Sequence, residues 1–151
     1  MATDGLNDNE KKWWVLGNSF YSGDTLKTEL FTKFAPNLAE ETATKAEPKL
    51  TTNALRNFYD AVKAIENPIL QKGGREEKEK AFKQQLPHIK LLAAKVAHYQ
   101  PAGRPKIPWL FAKFLNDSIE IAESLKEFEG FVLVFEAVAG WHTKYAKKGD
   151  N

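Results

Sequence analysis

The chain has 151 residues, 42% hydrophobic and 28% charged, with no cysteine. That length and composition suit one domain with a buried core and exclude a wholly disordered chain, while the missing cysteines exclude a disulfide framework and thiolate metal sites. The net charge of +2 is unevenly spread: residues 49–106 hold twelve Lys/Arg against five Asp/Glu, a net of +7, and the remainder carries −5. A basic middle between acidic flanks points to a polyanionic partner, a solvated face of mixed charge being the competing reading.

In chain order, the first residues mix acids with no apolar run, so no signal peptide is read there. Residues 1–10 and 148–151 are expected to be flexible ends of a single helical domain spanning 1–151. From about Lys11 to Phe34 the apolar set Trp13, Trp14, Leu16, Phe20, Leu26, Leu30, Phe31 and Phe34 predicts one or two short helices, interrupted at Gly17 and Gly23. Asn37 to Lys49, with Pro36 and Pro48 at its ends, reads as a loop or a loosely held helix. Thr51 or Thr52 is a good N-cap for a helix whose stripe is Leu55, Phe58, Tyr59, Val62 and Ile65, ended by Pro68 and Gly73-Gly74.

Arg75 to Gln85 then predicts a charged helix with little to bury except Phe82. Pro87 suits the first turn of a further helix with the stripe Ile89, Leu92, Ala93, Val96 and Tyr99, stopped by Pro101, Gly103, Pro105 and Pro108. Another begins near Pro108, carrying Leu110, Phe111, Phe114, Leu115, Ile119 and Ala122. The last holds Leu125, Phe128, Val132, Phe135 and Ala139. Within it Gly130 and Gly140 each cost about 1 kcal/mol relative to alanine and suggest close helix packing. The longest bulky apolar run, Phe131–Phe135, is too short to span a bilayer. The expectation is an all-α bundle of five or six helices in a cytoplasmic protein, antiparallel where connections are short.

Catalytic and metal chemistry find little support. His88 and His98 stand ten apart, off the spacing that pairs ligands on a helix, and His142 is distant. Glu120, Glu123, Glu127 and Glu136 read as solvated outer faces of the last two helices rather than as acid–base groups. The KGGR stretch leading into the charged helix is a weak phosphate loop and reads better as a linker. Trp13 and Trp14 suit core packing or a subunit contact better than base stacking. No cofactor is implied.

The cations are more suggestive. Arg56 and Lys63, seven residues apart, nearly superpose on a helix and lie about 10 Å apart along its axis, a spacing that can address successive phosphates. Lys90 and Lys95 fall on opposite shoulders of their stripe. The prolines at 101, 105 and 108 stiffen the loop that displays Arg104 and Lys106. Arginine's planar fork can grip phosphate bidentately, or can pair with a carboxylate or a helix end.

KLTTNALRNFYDAVKAIE, then LPHIKLLAAKVAHY with a nearby AGR, and finally FEGFVLVFEAVAGWH resemble, in this order, the small-subunit family of type III-A CRISPR effector (Csm) complexes. The resemblance covers about Lys49 to Lys144 and makes residues 49–145 the family-like core. It implies a small helical protein without catalytic activity, several copies of which line up beside a repeated backbone subunit and help hold guide RNA and its paired target RNA. Arg56, Lys90 and Arg104 are the RNA-contacting positions it implies; Lys63, Lys95 and Lys106 are added from charge alone. Two departures stand out: YQPAGR is longer than the family's spacing between Tyr and Arg, and Thr143 follows Trp141-His142 where lysine is usual. Expected partners are guide and target RNA, the backbone and large subunits, and a second copy of the chain. The small subunit of a type III-B complex, a protein-interaction adaptor with no RNA role, and an enzyme using the histidines are the other readings.

Overall fold

The computed structural model describes residues 3–146; the flexibility expected of 148–151 and of Met1 and Ala2 falls outside them. Helix α1 (Asp8–Trp13) is set by a capping box, in which the Asn7 side chain accepts from the Glu10 N–H while the Glu10 carboxylate accepts from the Asn7 N–H. It ends where Trp13 and Trp14 both turn inward. Instead of a second short helix, the chain then makes a tight hairpin, β1 (Tyr21–Ser22) against β2 (Thr25–Leu26), with Tyr21 opposite Leu26 and Ser22 opposite Thr25. The Gly23-Asp24 pair at its tip suits a two-residue connection, so Gly23 marks a hairpin and not a helix break.

Asn37 to Lys45 is helical and well packed. Helix α2 (Ala35–Glu40) is flanked by π-helical turns at Leu30–Phe34 and Glu41–Lys45, and it buries Ala35, Leu38 and Ala39 against the last helix. The Thr42 and Thr44 hydroxyls bond back to the carbonyls of Leu38 and Glu40 at 2.7 Å each. These threonines therefore satisfy themselves inside the helix, although their composition reads as loop.

Helix α3 (Thr52–Leu70) starts on the Thr51 hydroxyl, which accepts from the Ala54 N–H at 3.1 Å, and runs on past Pro68. Beyond Gly73-Gly74, α4 (Arg75–His98) is one rod where two helices were expected. Pro87 is exposed in its interior. Ala81 and Phe82 before it and Ile89, Leu92 and Val96 after it bury against the same core, so packing on both sides carries the helix through the residue that lacks a donor.

Helices α5 (Trp109–Ile121) and α6 (Leu125–Tyr145) complete the all-α fold, with Ser124 capping α6 by accepting from the Glu127 N–H. The core is phenylalanine-rich. Phe135 meets Phe111 and Phe114, and Phe114 meets Phe131, edge to face at 5.8–6.0 Å between ring centroids, a favoured geometry for aromatic pairs. Phe58 of α3 and Phe34 before α2 extend this cluster outward. No helix among the described residues is long and apolar enough to cross a membrane.

Candidate nucleic-acid interface

The loop between α4 and α5 is folded by its own backbone. The Arg104 N–H donates to the Pro101 carbonyl at 3.0 Å, closing a turn whose third residue, Gly103, has φ +77°. Such a turn favours glycine there. The Lys106 N–H donates to the Tyr99 carbonyl at 2.8 Å. Tyr99 in turn packs its ring on Phe58 at 4.8 Å and accepts a 3.0 Å hydrogen bond from the Asn57 amide. Loop and α3 are thus bound into one unit through a single tyrosine.

This unit encloses a polar depression of about 310 Å³, walled by Thr51, Asn53 and Asn57 of the α3 start and by His98, Tyr99 and Lys106. Lys95 reaches the same face: its ammonium donates to the Asn57 carbonyl at 3.2 Å and lies 5.4 Å over the Phe58 ring. On the other side of α3, Arg56 borders a second depression of about 330 Å³ with Thr52, Tyr59, Asp60, Gly140 and Thr143. The first turns of α3 form a ridge between two hollows, with Arg56 on one flank and Lys106 and Lys95 on the other. Among the described residues Arg56, Arg104 and Lys106 are exposed and form no ion pair.

Lys63 and Lys90 are placed differently. Lys63 pairs with Glu66 at 2.7 Å and Glu136 at 3.2 Å, and the hydrogen bond to Glu66 is the largest influence raising its pKa above the ordinary lysine value. Lys90 sits 2.6 Å from Glu123 and donates to the Ile119 carbonyl at 2.8 Å, tying α4 to the end of α5. Lys90 and Lys95 do lie on opposite shoulders of α4, one turned to α5 and the other to α3. Four of the six candidate cations therefore belong to the ridge and its loop, and two hold helices together.

Three of the four carboxylates read as solvated have partners. Glu123 and Glu136 take Lys90 and Lys63, and Glu127 accepts from the Ser19 hydroxyl and the Phe20 N–H, fastening the hairpin to α6. The tryptophans are core: Trp13 and Trp14 are each 4% exposed and pack on Phe34. His88 and His98 are exposed, whereas His142 is buried with Nε2 2.7 Å from the Leu50 carbonyl. No cluster of metal-ligating side chains occurs among the described residues. Sequence reading missed Asn53, Asn57 and His98 as walls of the depression. The only sequence signal for them was their position beside the Thr51 cap and the proline-rich loop.

Against known proteins, a family model described as Csm2 Type III-A matches residues 26–148. The match takes in Leu26 to Pro48, outside the stretch on which the resemblance rested, and so includes α2 and both π-helical turns. No curated protein and no solved structure matches.

Proposed function

This chain belongs to the Csm2 type III-A family, structural small subunits of type III-A CRISPR complexes, and on that premise we propose that it grips the guide RNA and its paired target through the α3 ridge and the loop at Arg104. Arg56, Arg104 and Lys106 contact phosphates, with Lys95 and the start of α3 supporting them. Lys63 and Lys90 act in the fold first, because each already holds a carboxylate. The observation that supports this reading most is the grouping of three cations without ion pairs, among the described residues, on and beside a helix start that offers backbone N–H groups.

The contacts are indifferent to sequence. Arginine and lysine on phosphate supply affinity without base readout, which suits a complex whose sequence reading is done by base pairing. The chain does no chemistry of its own in this reading. Its remaining partners are the backbone and large subunits and further copies of itself, in a cytoplasmic effector.

Labelled RNAs of two unrelated sequences test the reading. Joint replacement of Arg56, Arg104 and Lys106 by alanine is expected to weaken both by about tenfold or more, that is about 1.4 kcal/mol or more, and by the same factor. Lys63→Ala and Lys90→Ala are expected to lower the melting temperature instead. Unchanged RNA affinity in the triple variant, or a loss for one RNA only, contradicts the proposal.

A further inference from the structure

Gly140 lies inside α6, where glycine is disfavoured against alanine, and no neighbour in the fold requires its bare backbone: a Cβ there would meet nothing within 4 Å. The missing side chain instead deepens the hollow of about 330 Å³ between the start of α3 and the end of α6, on the Arg56 side of the ridge. Glycine without an internal role suits a place where a ligand comes close to the backbone. The volume is at the small end for ligand sites, about 300–1,000 Å³, so it suits one sugar rather than a paired stretch of nucleic acid.

The polar groups around this hollow divide by whether the fold already uses them. The Tyr59 hydroxyl donates to Glu136 at 3.4 Å, and the Thr143 hydroxyl donates to the Ala139 carbonyl at 3.2 Å. The side chains of Arg56 and Asp60 are exposed and have no hydrogen bond or ion pair among the described residues. They stand four apart on α3, about 6 Å along the axis, a spacing at which opposite charges commonly pair. Here they do not. An ionised carboxylate only accepts hydrogen bonds, and it repels phosphate. On a surface that grips a nucleic-acid backbone, Asp60 therefore calls for a donor from the ligand. The ribose 2′ hydroxyl is the donor that an RNA backbone carries and DNA lacks, and it sits beside the 3′ phosphate of its own nucleotide.

We propose that the hollow at Gly140 takes one ribose of the bound RNA, with Asp60 accepting from its 2′ hydroxyl and Arg56 donating to the adjoining phosphate. The site selects RNA over DNA by the sugar and not by the base, so the grip stays indifferent to sequence. This rests on the RNA reading above and adds to it what the Arg56 side of the ridge recognises.

Affinities of the full chain for three single strands of one adenine–cytosine sequence test it: RNA, DNA and 2′-O-methyl RNA. With uracil and thymine left out, the strands differ only in the sugar. The parent is expected to hold RNA about three- to tenfold tighter than either of the others, the net worth of about one hydrogen bond. Asp60→Ala is expected to abolish that preference by weakening RNA alone, whereas Asp60→Asn, which keeps an acceptor, retains it. Arg56→Ala is expected to weaken all three strands and leave the preference in place. Gly140→Leu fills the hollow and is expected to bring RNA down to the affinity of DNA. A parent that binds RNA and DNA equally overturns the ribose site and leaves the cation grip standing; binding to neither overturns both. Asp60→Ala that keeps the preference, or that shifts all three strands alike, also overturns the ribose site, as does Gly140→Leu with the preference intact.

Discussion

Gly130 and Gly140 have the same cost in a helix but different surroundings. A Cβ on Gly130 would stand 2.8 Å from the Phe20 Cβ and 3.2 Å from both the Phe20 Cγ and the Tyr21 ring, while one on Gly140 meets nothing within 4 Å. Gly130→Ala is therefore expected to destabilise by about 1–3 kcal/mol through overpacking. Gly140→Ala is expected to stabilise by about 1 kcal/mol, a rise of about 2–4 °C in Tm for a chain of this size. Thermal melts of the two variants decide it. Sequence alone suggested close packing at both glycines, and only the hairpin laid on α6 separates them. Asp117 makes stability depend on pH. Burial pushes its carboxyl above the usual aspartate value, against the opposing pull of Lys113 at 3.1 Å. A carboxyl raised on folding binds its proton more tightly in the native state, so its contribution is present below the unfolded value and is lost as pH rises through the folded one. Asp117→Asn should therefore gain stability relative to the parent between about pH 4 and pH 7; a relative loss over that interval, in melts at both ends, contradicts the sign.

At the level of elements, helix starts were legible where a side chain announces them. Thr51, one of the two threonines read as the cap of α3, accepts the Ala54 N–H, whereas the Ser124 cap of α6, which accepts from the Glu127 N–H, was not read from the sequence. What proline does inside a run was not legible. Pro87 reads as a beginning, yet α4 passes through it because buried residues on both sides belong to one core. Pro87→Ala is accordingly expected to stabilise the chain by about 2 kcal/mol, the helix-interior cost of proline less its advantage in the unfolded chain. Unchanged or lower stability on denaturant titration means that the exposed ring makes a contribution of its own. The hairpin and α2 were missed for a related reason. Two-residue strands carry no alternation to read, and the Thr42 and Thr44 back-bonds turn a loop-like composition into helix.

For the whole molecule, the six candidate cations and Arg75 divide into two groups once the helices pack. Arg75 grips both oxygens of Glu129 at 2.8 and 3.0 Å, and Lys63 and Lys90 close other inter-helix pairs, so three of the twelve cations between residues 49 and 106 join α3 and α4 to α5 and α6. Arg56, Lys95, Arg104 and Lys106 remain around the start of α3. That the cations lay between Lys49 and Lys106 was legible in composition. Which of them face outward was not, because the deciding partners, Glu123, Glu129 and Glu136, come from helices later in the chain. The most direct measurement is the salt dependence of single-stranded RNA affinity for the parent, the Arg56/Arg104/Lys106 triple alanine variant and the Lys63/Lys90 double alanine variant. With about 0.7 units of slope in log affinity against log salt per phosphate contact, the triple variant is expected to be shallower than the parent by about 2 units and the double variant to run parallel to it. A triple variant parallel to the parent, or a double variant that flattens equally, contradicts the account.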